Sequence, residues 1–181
     1  MDRYVSRHIL QDVQDELVVF VASDIEEFRN VRARLKWEIE EMGFARAVVM
    51  ELEGARPRSV LVESLEAVRM SGIVVFLFGE KFSKITKMEY RETDARGKPC
   101  FVYALPIKRD YRLQRFIDGE IRSPVIYSEF TTTDELITTI KVDLRRFRKK
   151  LFHEALKSWQ AKRRRERRRQ HAEEIGGRLT L

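Results

Sequence analysis

Five short apolar runs, rich in β-branched and aromatic residues, recur along the chain at Leu17 to Ala22, Arg46 to Met50, Ile73 to Phe78, Cys100 to Leu105 and Val125 to Tyr127. Helix-length segments separate them, and this alternation predicts an α/β domain built on a parallel sheet. The first and third runs are almost unbroken in apolar character. Strands covered on both faces look like this, so those two are expected at the centre of the sheet.

The segments between the runs carry the other period. From Ile25 to Met42 the apolar positions Phe28, Val31, Leu35, Ile39 and Met42 fall at steps of three and four, predicting an amphipathic helix capped by Asp24 and ended by Gly43. Val60, Leu61, Ser64, Leu65 and Val68 mark a second helix opened by Ser59. A third spans roughly Ile85 to Arg96, and Gly97-Lys98-Pro99 turns the chain into the next strand. Arg112 to Asp118 reads as a short fourth helix. Thr133 or Asp134 opens a long last one bearing Leu136, Ile140, Leu144, Phe147, Leu151 and Trp159. The expected parts are a terminal arm or short helix over residues 1–16, an α/β domain over 17–160 and a basic tail over 161–181. Phe20, Phe76, Phe78 and Cys100 are expected in the core, and Trp37 and Trp159 are expected to pack helices.

Charge changes this picture only at one end. The 181 residues carry 36 Lys plus Arg against 29 Asp plus Glu, a net charge of +7. From Arg145 onward there are fourteen basic residues against four Glu, a net +10, which leaves −3 for the rest. Lys162, Arg163, Arg164, Arg165, Arg167, Arg168 and Arg169 put seven positive charges into eight residues. Such a run is either a solvated helix extension or a salt-sensitive polyanion contact. Without an interleaved aromatic to stack on a base, any nucleic-acid binding there would be non-specific. The one cysteine and three scattered histidines offer no disulfide and no metal-ligand spacing, and neither a membrane span nor a secretory leader is legible. The expectation is a cytoplasmic protein without metal or cofactor.

Parallel sheets bind ligands beyond the carboxyl ends of their strands, where the strand order reverses. With the common order 2-1-3-4-5 the crevice opens between the first and third strands. The candidate ligand residues there are Ser23 and Asp24 after the first strand, Glu51 after the second, and Gly79, Glu80, Lys81 and Ser83 after the third, with Thr86 and Glu89 on the following helix. Ala22-Ser23-Asp24 is no glycine-rich turn, so neither a P-loop nor a dinucleotide fingerprint is present. A phosphoacceptor Asp at the end of the third strand is absent too, since Gly79 stands there. Glu80 and Lys81 also read as a surface ion pair, Ser23 and Asp24 as helix caps, and Arg32 as a strut from the first helix to Glu27 or Glu51.

Taken together, Val19-Phe20-Val21-Ala22-Ser23 with Arg32 downstream, Met50-Glu51, Val75-Phe76-Leu77-Phe78-Gly79-Glu80-Lys81-Phe82, and Thr86-Lys87-Met88-Glu89-Tyr90 ahead of Gly97-Lys98-Pro99 resemble the domain of unknown function 4062. That family belongs with the TIR-like and nucleoside deoxyribosyltransferase-like domains. The resemblance runs from about Leu17 to Arg146 and implies a flavodoxin-like three-layer sandwich, with its five-stranded parallel sheet in the order 2-1-3-4-5 and here an extended basic C-terminal helix. It also implies a crevice for a ribose-containing nucleotide or nucleoside. In the catalytic relatives a glutamate on the helix after the third strand works at the ribose, and Glu89 matches that position. Three features depart from the family pattern: Ala22-Ser23-Asp24 replaces Ser-Ser-Thr, Gly72 stands where an acidic residue usually opens the third strand, and Ser83 stands where a glycine often follows the aromatic at Phe82. They argue against phosphate binding through the first loop.

Three functions follow as expectations. One is cleavage of an N-glycosidic bond of NAD or a nucleoside, with Glu89 acting at the anomeric carbon. Another is a non-catalytic signalling or defence module that associates with itself or a protein partner. The last is polyanion binding through the tail.

Overall fold

A computed structural model describes residues 16–50, 59–121 and 127–178, with side chains as far as residue 168. The arm expected over 1–16, Glu51 and the Arg169 side chain therefore lie outside the described residues, except for Glu16. Five strands, β1 (Leu17–Ser23), β2 (Ala45–Val49), β3 (Ile73–Phe78), β4 (Cys100–Ala104) and β5 (Tyr127–Glu129), form one parallel sheet in the order β2-β1-β3-β4-β5. In register, Val19 pairs with Ile73 and Val74 with Cys100. Every residue of β3 is buried, as its unbroken apolar run requires.

Alternation sorts these side chains onto two faces. Phe20, Ala22, Val74, Phe76 and Phe78 share a core with Val68 of helix α2 (Val60–Met70), Tyr90 of α3 (Lys84–Ala95) and Leu113 and Phe116 of α4 (Tyr111–Glu120). Phe76, Phe78, Tyr90 and Phe116 meet edge to face or stacked, with ring centroids 5.3 to 6.2 Å apart. Residues between them in the strands, including Val19, Val21, Ile73 and Val75, are buried on the opposite face. Helix α1 (Arg29–Glu40) contributes buried Leu35 and Ile39, and the first turns of α5 (Thr133–Arg178) contribute Leu136, Ile137 and Ile140. Lys141 of α5 reaches Glu38 of α1 at 2.5 Å and Arg34 reaches Asp134 at 2.7 Å, which joins these two helices in one layer. The result is a three-layer α/β sandwich.

The chain divides into two compact units. Residues 16–141 hold the sheet, α1 to α4 and the start of α5; the other unit contains α5 from Val142 onward. In that second unit the helix continues through the basic run. Arg163 lies over the Trp159 ring at 5.3 Å, and the arginines beyond it are mostly exposed.

Local details differ from the sequence expectation in three places. Asp24 does not cap α1: its carboxylate accepts the Glu27 N–H at 2.9 Å and closes a separate turn, so the helix starts only at Arg29 after Phe28. The long helix is capped by neither Thr133 nor Asp134. Thr132 Oγ1 accepts from Glu135 N at 3.2 Å, and the Glu135 carboxylate reaches back to Thr131 N at 2.8 Å, a capping box displaced by one residue. Trp37 is 60% exposed rather than packed between helices, because the buried stripe of α1 runs through Arg32, Leu35 and Ile39. Ser59 caps α2 as expected, accepting from Val62 N, and Ser83, expected only as a ligand residue, caps α3 by accepting from Thr86 N.

Candidate active site

The carboxyl ends of β1 and β3 frame a cavity of about 220 Å³, lined by Ser23, Asp24, Ile25, Glu26, Arg32, Met50, Val60, Ser83, Ile85 and Glu89. Three of its polar groups are buried to an unusual degree. Arg32 is 2% exposed, Glu89 3% and Ser23 5%. Charged side chains rarely occupy such positions unless they are paired or chemically used.

Arg32 is held by the strand ends. Its Nη1 donates to Ser23 Oγ at 2.9 Å and to the Val21 carbonyl at 3.3 Å, and Nη2 donates to the Met50 carbonyl. The last carbonyls of parallel strands lack ladder partners, so a guanidinium with five donors is suited to tie β1 to the segment after β2. Of the two partners expected from sequence for Arg32, Glu51 lies outside the described residues and Glu27 turns its carboxylate to the Glu80 and Lys81 amides, while the Ser23 hydroxyl accepts from Arg32.

Glu89 sits on the inner face of α3 with Thr86, Tyr90 and Thr93, all buried. Its backbone carbonyl is fixed by the Thr93 hydroxyl at 2.7 Å, whereas its Oε2 is buried without a hydrogen-bond partner among the described residues. Burial pushes the carboxyl from its ordinary 4.5 up to about 7, against the weaker opposing pull of the Ser64 hydroxyl and the Arg32 guanidinium. A carboxyl near neutrality, orphaned at one oxygen and lining a cavity, has the protonation poise that acid, base and nucleophilic chemistry requires.

The other candidate residues occupy the rim. The Glu27 carboxylate accepts the Glu80 N–H at 2.6 Å and the Lys81 N–H at 3.2 Å, tying the turn after β1 to the loop after β3. Gly79 permits that approach: a Cβ there would stand 2.0 Å from Glu27 Oε1. Glu80 and Lys81 thus contribute their backbones, and no ion pair joins their side chains. A narrow extension of about 10 Å³ passes beside Asp24, Glu27, Gly79, Lys81, Ser83 and Thr86. The structure therefore brings Ser23, Asp24, Ser83 and Glu89 to one cavity and sets Gly79, Lys81 and Thr86 beside it, with Glu80 farther along the rim. Sequence reasoning missed Ser64, Met50, Val60 and Ile85. Only Ser64 carried a signal, as a hydroxyl inside the apolar stripe of α2.

Elsewhere, Lys157, Gln160, Ala161, Arg164, Arg165 and Arg168 line a shallow depression of about 360 Å³ along one side of α5. Among the described residues no group of three or more His, Cys, Asp or Glu is placed to hold a metal ion. Likewise, no helix among them is long and apolar enough to cross a membrane.

The sequence matches the family described as Domain of unknown function (DUF4062) over residues 18–171. Two solved structures share the architecture. The CMP N-glycosidase BcmB of Clostridium botulinum superposes with a TM-score of 0.51 at 18% identity, over 69% of this chain and 98% of its own. The TIR domains of the activated Roq1 resistosome, which directly recognizes the pathogen effector XopQ, superpose with a TM-score of 0.55 at 13% identity, over 71% and 99%. At these identities the likeness is one of fold. No protein of curated function matches the sequence.

Proposed function

The chain belongs to the DUF4062 family, and from that premise we propose that its crevice takes a ribose-containing nucleotide or nucleoside and cleaves the N-glycosidic bond, with Glu89 as the catalytic carboxylate. The observation that carries this reading is the Glu89 carboxyl itself, buried, held near neutrality and lacking a partner at Oε2. A CMP N-glycosidase of the same fold is consistent with it.

In the proposed step the C1′–N bond breaks and its electron pair leaves with the base, so positive charge develops at C1′. The ionised form of Glu89 stabilises that charge or bonds to it. Water then delivers hydroxide to C1′, and its proton goes to the departed base or to solvent. Arg32 acts as a positioning residue by fixing the Ser23 and Met50 edges of the cavity. Incubating the protein and its Glu89→Gln variant with NAD, NADP, CMP and a panel of nucleosides, followed by chromatography, tests the proposal. Base release by the wild type that disappears in the variant is expected. Release from no substrate moves the function to a non-catalytic assembling module, which concentration-dependent sedimentation would then reveal.

The basic helix supports a separate reading for the second unit. Its cations recur on one side of α5 at Lys157, Arg164, Arg165 and Arg168, suited to successive phosphates of a polyanion. Deleting residues 162–181 is expected to abolish duplex binding, and the log affinity of the intact chain is expected to fall steeply with log salt. Binding that ignores salt contradicts this.

A further inference from the structure

A larger concavity lies apart from Glu89, between the loop after β3 and the loop after β4. The two loops are stitched together by the Asp110 N–H donating to the Glu80 carbonyl at 2.8 Å. They enclose about 560 Å³, within the range of small-ligand pockets. Four cations, Lys81, Lys108, Arg109 and Arg112, and two carboxylates, Glu80 and Asp110, line it. Asp110 and Arg112 neutralise each other, since the Asp110 carboxylate accepts from Arg112 Nη2 at 3.0 Å and from its backbone N–H at 2.7 Å. That leaves three cations against the exposed Glu80.

Arg109 is the informative one. Its Nη2 donates to the Leu105 carbonyl at 2.6 Å and its Nη1 to the Gln114 side-chain oxygen at 3.3 Å, both neutral acceptors. Its Nε is buried without an acceptor among the described residues. A guanidinium oriented by neutral groups keeps its whole charge for something else, and an unpaired buried donor is costly unless a ligand completes it. Lys81 and Lys108 are exposed and have no ion-pair partner among the described residues. The backbone N–H groups of Glu80 and Lys81 are already occupied by Glu27, so an anion here must be received by side chains.

The geometry points to an anion site in this concavity, with Lys81, Lys108 and Arg109 receiving the phosphoryl group of a small phosphorylated ligand. A phosphoryl group offers several acceptor oxygens to one oriented guanidinium and two mobile ammonium groups, which a single carboxylate matches less well. The assignment is independent of any role for Glu89.

Calorimetric titration of the full chain with inorganic pyrophosphate at low salt tests it, using three variants whose melting temperatures confirm folding. Lys108→Glu reverses an exposed charge, and Arg109→Lys keeps the charge while removing the fork. The combined Arg164→Gln, Arg165→Gln and Arg168→Gln variant removes the competing cations of α5. Saturable binding is expected in the wild type and in the α5 variant, weakened about tenfold or more in both Lys108→Glu and Arg109→Lys. Absence of wild-type binding at millimolar pyrophosphate overturns the assignment. So does binding that is lost in the α5 variant but indifferent to Lys108→Glu.

Discussion

The two faces of α3 treat carboxylates in opposite ways. On the outer face Lys87 and Arg91 converge on Glu120 of α4, at 2.5 and 2.7 Å, and these hydrogen bonds hold its carboxyl down at about 2. On the inner face Glu89 is buried with one oxygen unpartnered, and its carboxyl is raised to about 7. One helix thus holds a carboxylate that is firmly ionised and another whose charge is suppressed. The first arrangement joins two helices at the surface. The second costs stability at neutral pH and creates a group able to take or give a proton there, a trade expected at functional sites rather than in structural ones.

The contrast yields predictions of graded size. The largest concerns chemistry: Glu89→Gln should lower base release by at least about a hundredfold, whereas Glu120→Gln should leave the rate of release unchanged. Chromatographic product analysis of the two variants side by side checks this. Equal loss in both would mean that the faces do not differ in function.

Next comes the Arg32 strut on the crevice side. Arg32→Leu strips the donors from buried acceptors at Val21, Ser23 and Met50 and should cost about 3 kcal/mol in denaturant unfolding. A loss below about 1 kcal/mol would show that these acceptors find other donors.

The same Glu89→Gln variant should gain stability as it loses activity. Because folding raises this carboxyl from 4.5 to about 7, the folded state binds more protons between those values, and stability falls as pH rises through that window. Replacement by a neutral amide removes the penalty, so the variant should be more stable than wild type by up to about 3 kcal/mol at pH 8 and about equal to it at pH 4. Unfolding curves at the two pH values measure this. Glu120 runs the other way. Its depressed carboxyl adds stability that is present above 4.5 and lost as pH falls toward 2. Glu120→Gln should cost less than about 1 kcal/mol at pH 7, since the pairs are solvent-screened.

Gly79→Ala is the smallest of the crevice changes. The added Cβ displaces the flexible end of Glu27 and breaks its two bonds to the Glu80 and Lys81 amides, at a cost of about 1 kcal/mol, with increased hydrogen exchange at those two amides.

How much of this was legible before folding depends on how far apart the cooperating residues lie. The apolar runs revealed the strands and their central pair, because a strand covered on both sides must be apolar at every position. Ser59 revealed one helix start, because capping acts over three residues. Asp24 misled, since a turn closed by the same Asx geometry intervenes before α1. Arg32 read as a strut to a carboxylate, and only the folded ends of β1 and β2 bring the Val21 and Met50 carbonyls to it. Likewise the two groups that act against the effect of burial on Glu89, Ser64 and Arg32, come from two other helices, and no local pattern records that. The position of Glu89 was suggestive through the switch point of the sheet and the family resemblance together. Arg109 has no sequence signal at all, because its pocket exists only where two loops meet.

Everything proposed for the crevice turns on Glu89 being poised between its charged and neutral forms. A ¹³C NMR titration of the glutamate side-chain carboxyls, with Glu89→Gln to assign the resonance, tests it most directly. A Glu89 midpoint near 7 is expected. A midpoint at the ordinary 4.5 would show the carboxylate to be solvated and would contradict it.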